Sequence, residues 1–119
     1  MITAYAQIPA YPTKDGSTVR ELMHPAVHGN RMQSLAEAIV APGQTTALHR
    51  HRLAVELYHI TAGRGMMTLG DQHFDVTAGH TVSIPPGTAH CIRNTGNEPL
   101  KILCCCAPAY SHEDTELME

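Results

Sequence analysis

The chain has no tryptophan and a single phenylalanine, Phe74, among its 119 residues. A core of stacked aromatic rings is excluded, so Leu, Ile, Val, Met and Ala must fill the interior. Charge is sparse as well: Asp, Glu, Lys and Arg make up 16% of the residues, and the formal net charge is -3. Basic residues are scattered from Lys14 to Lys101 rather than gathered in a stripe, which excludes a groove that tracks nucleic-acid phosphates. No apolar run approaches the roughly 20 residues of a membrane-spanning helix, and no charged-then-apolar leader opens the sequence. A cytoplasmic protein without a membrane partner is therefore expected. The cysteines, Cys91 and the run Cys104-Cys105-Cys106, lack the spaced framework of a small secreted domain, and reduced thiols are expected. A chain of this length has room for one hydrophobic core, so a single domain over 1–119 is anticipated.

What the sequence does contain is turns and histidines. Turn signals recur at Asp15-Gly16, Gly29-Asn30, Pro42-Gly43, Gly63-Arg64-Gly65, Gly70-Asp71, Ala78-Gly79, Pro85-Pro86-Gly87 and Gly96-Asn97. Between them the pattern predicts strands over 18–24, 31–40, 45–51, 56–62, 66–69, 72–76, 80–84, 90–94 and 100–106. Such a rhythm predicts an all-β sandwich or barrel of the jelly-roll kind. Residues 34–41, SLAEAIVA, are good helix formers, with Met32, Leu35 and Ile39 at helical spacing. The surrounding turns nevertheless favour a strand there. In the tail, Ser111 followed by Asp114 resembles a helix cap, which predicts a short surface helix over 112–118 with Glu113, Asp114 and Glu116 in its first turns.

Two stretches concentrate the chemistry of metal ligation. From Gly43 to Gly63 the chain reads GQTTALHRHRLAVELYHITAG, placing His49, His51 and Glu56 within eight residues. His90 follows three residues after Pro85-Pro86-Gly87. Imidazole nitrogens and a carboxylate are common ligands of catalytic transition metals. On a strand, His49 and His51 point to the same side, and Glu56 can return from the next strand. A buried Glu without a partner is costly, which argues against these residues being core filler. His24, His28, His59, His73, His80 and His112 lack ligand spacing and are expected at the surface or on strand edges.

These stretches resemble the two motifs of the cupin family. The first motif is Gly, five residues, His-x-His, three or four residues, Glu, six residues, Gly; Gly43, His49, His51, Glu56 and Gly63 occupy it. The second is Gly, five residues, Pro-x-Gly, two residues, His, three residues, Asn; Gly79, Pro85, Gly87, His90 and Asn94 occupy it, 15 residues after the first. The resemblance implies a double-stranded β-helix barrel binding one divalent transition metal through His49, His51, Glu56 and His90. Iron or manganese would come first, with nickel, copper, cobalt and zinc open. The domain would then comprise an N-terminal arm (1–12), motif one (43–63), motif two (79–94) and a tail (107–119). Small cupins commonly form homodimers, and the arm, with Tyr5, Ile8 and Tyr11, is a candidate to pair across a twofold axis.

Alternation extends the expected site. If Glu56 points inward, so do Tyr58 and Ile60; Ile92 shares the face of His90, and Thr45 and Ala47 flank His49. With Lys101 toward solvent, Ile102, Cys104 and Cys106 face the interior. Tyr58 is the candidate catalytic group, hydrogen-bonding a substrate oxygen, unless it is simply a buried tyrosine. The thiols either approach the metal or pack as small hydrophobes. The complete ligand set points to a small mononuclear metalloenzyme acting on a small oxygen-bearing molecule bound at open positions of the ion. With no base evident beyond Tyr58 and the thiols, dioxygenase-type chemistry is preferred to a sugar or carbonyl isomerase or lyase. A non-enzymatic small-ligand-binding module is the remaining alternative.

Overall fold

A computed structural model describes residues 1–118. After a 3-10 turn at Tyr5–Gln7, β1 (Tyr11–Pro12) and β2 (Thr18–Met23) form a hairpin, and α1 (Pro25–His28) leads to β3 (Ser34–Val40). The chain continues through β4 (His49–His51), β5 (Val55–Ala62), β6 (Arg64–Leu69), β7 (Gln72–Thr77), β8 (Thr81–Ile84), β9 (His90–Asn94), β10 (Leu100–Ala107) and β11 (Thr115–Leu117). Among the described residues these build two antiparallel sheets, ordered β1-β2-β3-β10-β5-β8 and β11-β4-β9-β6-β7. This is the all-β double-stranded β-helix that the motifs implied.

The helix-prone segment SLAEAIV is strand β3, hydrogen-bonded to β10 on one edge and β2 on the other. Pairing along both edges overrides its local preference. Its small residues matter for another reason. Ser34, Ala36 and Ala38 face the interior and leave space between the sheets, whereas Val40 lies at the filled end. Register carries the same gradient onto the neighbouring strands. On β10 and β5, Cys106 pairs with Glu56 and Cys104 with Tyr58, but Ile102 pairs with Ile60. Ile60, Met67, Ile92, Leu100 and Ile102 are each 0–1% exposed and plug that end. Each such side chain contributes about 1.5–3 kcal/mol by leaving water. One end of the barrel is therefore solid and the other hollow.

Asn94, the last residue of the second motif, locks the solid end. Its Nδ2 donates to Val40 O at 2.9 Å and Glu98 O at 2.7 Å, and its Oδ1 accepts from Gly96 N at 2.9 Å. The Pro85-Pro86-Gly87 turn serves the hollow end, where Gly87 N donates to His51 O at 2.7 Å.

Two expectations are corrected. The tail forms no helix over 112–118: a single turn forms, with Asp114 N donating to Ser111 Oγ at 3.3 Å, and the chain then runs as β11 along β4. The open edge of β4 supplies backbone partners, and Arg50 bridges Glu116 at 3.0 Å. The strand expected over 45–51 begins only at His49, because Thr46 N and Ala47 N bond to Ile92 O and Asp15 O, on different strands and loops. Within the chain, the N-terminal arm is anchored where Thr3 Oγ1 donates to Leu22 O, Tyr5 OH donates to Glu37 Oε1, and β1 pairs with β2.

Candidate metal centre

His49 and His51 arise from β4, Glu56 from β5 and His90 from β9. Strands β4 and β9 meet at one register point, His49 opposite His90, which brings the two ring centroids to 4.2 Å. All four residues are buried, with exposures of 0–5%.

Hydrogen bonds fix the tautomer of each ring. Nδ1 of His49 lies 2.7 Å from Ala47 O, and Nδ1 of His90 lies 2.9 Å from Thr88 O. A carbonyl only accepts, so both Nδ1 atoms carry the proton. Nδ1 of His51 lies 3.0 Å from Thr115 Oγ1, whose own proton goes to Ser111 O at 2.9 Å. That hydroxyl must therefore accept from His51. Each ring consequently turns its Nε2 toward a common point, and one ligand atom from each lies within 4.8 Å of the others. Nε2 of His90 is buried without a hydrogen-bond partner.

Glu56 Oε1 closes the group, 3.0 Å from Nε2 of His51 and 3.5 Å from Nε2 of His90. Two acceptors at that range repel unless positive charge lies between them. A proton shared with His51 would serve, and a metal ion can displace it. Neighbouring ligands about 3 Å apart suit an ion with bonds of about 2.1 Å. Burial raises the Glu56 carboxyl, but the contacts with His51 and His90 outweigh it and hold the group well below the usual carboxylate range. Burial, reinforced by His90, pushes His49 below the ordinary imidazole value, which favours its neutral, ligating form. The donor set, with its orphaned nitrogen, fits one divalent transition metal.

Thr115 and the carbonyls of Ala47 and Thr88 hold the rings in ligating orientation. Removing the Thr115 hydroxyl in Thr115→Val is expected to weaken metal binding by about 10- to 100-fold with little change in fold. A chelator competition titration checks this.

Beside the four ligand candidates lies a cavity of about 60 Å³, lined by Tyr58, Cys104 and Cys106 as alternation predicts. Ile60, Ile92 and Ile102 do point inward but lie in the filled end and do not reach it. Alternation fixes the face of a strand, not the depth along it. Thr45 and Ala47 do not line the cavity either: Thr45 is exposed and bridged to Arg93, and the buried residue is Thr46. The cause is the missing strand before His49. Burial, then the Glu56 charge, raises the pKa of Tyr58, Cys104 and Cys106, so all three keep their protons. The Cys106 thiol donates to Glu56 Oε2 at 3.3 Å, leaving Oε1 directed at the histidines.

Sequence reasoning missed Asp15, Thr115 and the cavity residues Lys14 and Glu21. Asp15-Gly16 reads only as a turn, and Gly16 does take φ +93° there. The turn also aims a carboxylate. Oδ1 of Asp15 accepts from Thr13 Oγ1 at 2.7 Å, Ser17 N at 2.9 Å and Ser17 Oγ at 2.7 Å. Its Oδ2 lies 3.9 Å from Nε2 of His49. The remaining histidines lie apart: His59 meets Thr81 Oγ1, His73 meets Thr68 Oγ1, and His80 and His24 accept local backbone N–H groups.

A family model described as Cupin domain matches residues 36–106. An uncharacterized protein of Methanocaldococcus jannaschii is 56% identical over 117 residues, covering 98% of this chain and 94% of that protein. Among solved structures, the nucleoside dehydratase Pac13 of Streptomyces superposes with a TM-score of 0.82 at 13% identity, over 100% of this chain and 91% of that one. A predicted oxalate decarboxylase of Thermotoga maritima superposes with a TM-score of 0.78 at 24% identity, over 91% of this chain and 99% of that one. At these identities the structures establish the fold alone.

Proposed function

This chain belongs to the cupin family, and from that premise we propose that it is a mononuclear metalloenzyme acting on a small oxygen-bearing molecule. His49, His51, His90 and Glu56 would hold one divalent transition metal, iron or manganese ahead of nickel, copper, cobalt or zinc. What carries this is the convergence of three anchored imidazoles and Glu56 around a buried nitrogen without a partner. Bound there, the metal would supply Lewis-acid or redox chemistry to a molecule in its open positions.

Two reaction classes share such a centre. Dioxygenase chemistry is preferred where no base beyond Tyr58 and the thiols stands near the metal ligands. Asp15 is such a base, since its Oδ2 faces the histidines and makes none of the bonds that hold its loop. A lyase or isomerase needs such an acceptor for a substrate proton, so this class is the one the geometry supports better. Tyr58, protonated and with its ring edge against His90 at 5.9 Å between centroids, would donate to a substrate oxygen.

Metal analysis of protein purified without added metal should find about one equivalent per chain, and none would refute the metalloenzyme. Turnover assays with small carbonyl, phenol and sugar substrates, run with and without dioxygen, separate the classes. Product formed without oxygen is expected; product formed only with oxygen uptake would restore the dioxygenase. No helix among the described residues is long and apolar enough to cross a membrane, and a cytoplasmic location remains part of the proposal. So does a homodimer, since Leu35, Val55 and Leu57 are 37–47% exposed on the outer face of the six-stranded sheet. Gel filtration at the mass of one chain would contradict it.

A further inference from the structure

Among hydroxyls, thiols and small apolar side chains, the cavity is also lined by Asp15 and Glu21. Asp15 Oδ2 is directed at the cluster and makes no bond within its own loop. Glu21 accepts from Tyr11 OH through Oε1 at 3.1 Å, while its Oε2 is buried with no partner. With Glu56, three carboxylates line the cavity. The cation inventory is short: no arginine lines it, and the lysine that does, Lys14, already donates to Thr115 O at 2.8 Å and His112 O at 3.4 Å. Three carboxylates against one lysine and a divalent ion leave the enclosure neutral once the metal is bound. A carboxylate or phosphate ligand would make it anionic in poorly screened surroundings and would place acceptor against acceptor. A hydroxyl or amide group would instead donate to Asp15 Oδ2, which is not used in holding its own loop, at no change in charge.

Building on the metal centre proposed above, we propose that the substrate is an uncharged small molecule carrying hydrogen-bond donors, held by Asp15 beside the histidines with the Glu21 carboxylate lining the same cavity. The cavity of about 60 Å³ has room for several waters, which suits a small ligand. Asp15 and Glu21 are then specificity-determining residues. They select for donors and reject anions that the metal alone would attract.

An isosteric pair tests this. Glycolamide and glycolate have the same shape and both can chelate, but one presents an amide NH2 where the other has a charged oxygen. Both are titrated by NMR chemical shift into zinc-loaded wild type, Asp15→Asn and Glu21→Gln, zinc being redox-silent. Neutralising either carboxylate is expected to move the glycolamide-to-glycolate affinity ratio toward glycolate by about tenfold or more, the loss of one charge-assisted hydrogen bond. A shift in one variant alone supports the proposal and assigns the donor contact to that carboxylate. A ratio unchanged in both variants, with zinc still bound at one per chain, overturns the substrate class and leaves the metal centre intact. A wild-type protein that binds no zinc overturns the metal centre and this inference together.

Discussion

Replacing His90 with alanine is expected to abolish the stability that metal confers on the protein. A metal that binds only the native state, at a free concentration about 1,000 times its dissociation constant, adds about 4 kcal/mol. For a chain of this length that amounts to roughly 10 °C or more in Tm. His90 supplies the nitrogen with no other partner and sits directly across from His49, so no neighbouring residue can substitute for it. Without metal, the variant should itself melt lower than the wild type, because a fully buried ring is lost, so the readout is the metal-induced gain of each protein and not its absolute Tm. His59→Ala is the control: His59 is exposed and bonds Thr81, and the full metal-induced gain should persist. Melts of all three proteins, with and without metal, read the result. A His90→Ala protein that keeps the gain would mean that the ion is held elsewhere.

The second large effect concerns a position far from the ligands. Gly65→Ala is expected to cost about 3 kcal/mol or more of unfolding free energy. A Cβ there would stand 2.5 Å from the backbone oxygen of Arg93 and 3.0 Å from Leu100 Cδ2. The backbone cannot yield easily, because β6 is paired along both edges, with β7 and with β9. The displaced oxygen belongs to β9, the strand that carries His90, so metal affinity should fall as well. Gly96→Ala provides the contrast, since the tightest contact of its Cβ would be the flexible Arg64 side chain at 3.3 Å, with Asn94 Oδ1 at an ordinary 3.6 Å. Its cost should stay below about 1 kcal/mol. Urea unfolding with an unchanged slope distinguishes the two. Equal costs would show that the close approach of β6 to β9 is not what demands glycine.

Residues whose chemistry depends on near neighbours in sequence were the legible ones. His49, His51 and Glu56 are separated by one strand step and one turn, and His90 follows a turn whose prolines and glycine fix its course. Periodicity of two also placed Tyr58, Cys104 and Cys106 on the interior face. Where the backbone left the strand conformation that periodicity assumes, the same rule failed. Before His49 the chain bonds alternately to Ile92 and Asp15, so Thr45 turned outward and Ala47 missed the cavity. In the tail, a real capping signal at Ser111 lost to the open edge of β4, and Thr115 became a partner of His51 from 64 residues away.

The sequence by itself determined the strand rhythm, the family pattern and the side chains able to bind a metal, because turn chemistry, alternation and ligand type are local properties. Only the tertiary structure decided where the barrel is hollow, which tautomer each imidazole adopts, and that Asp15 and Glu21 face the cavity. Those outcomes depend on strand register and on hydrogen bonds between distant segments. A carboxylate in a two-residue turn carries no local mark of the histidine it will face once the sheets close.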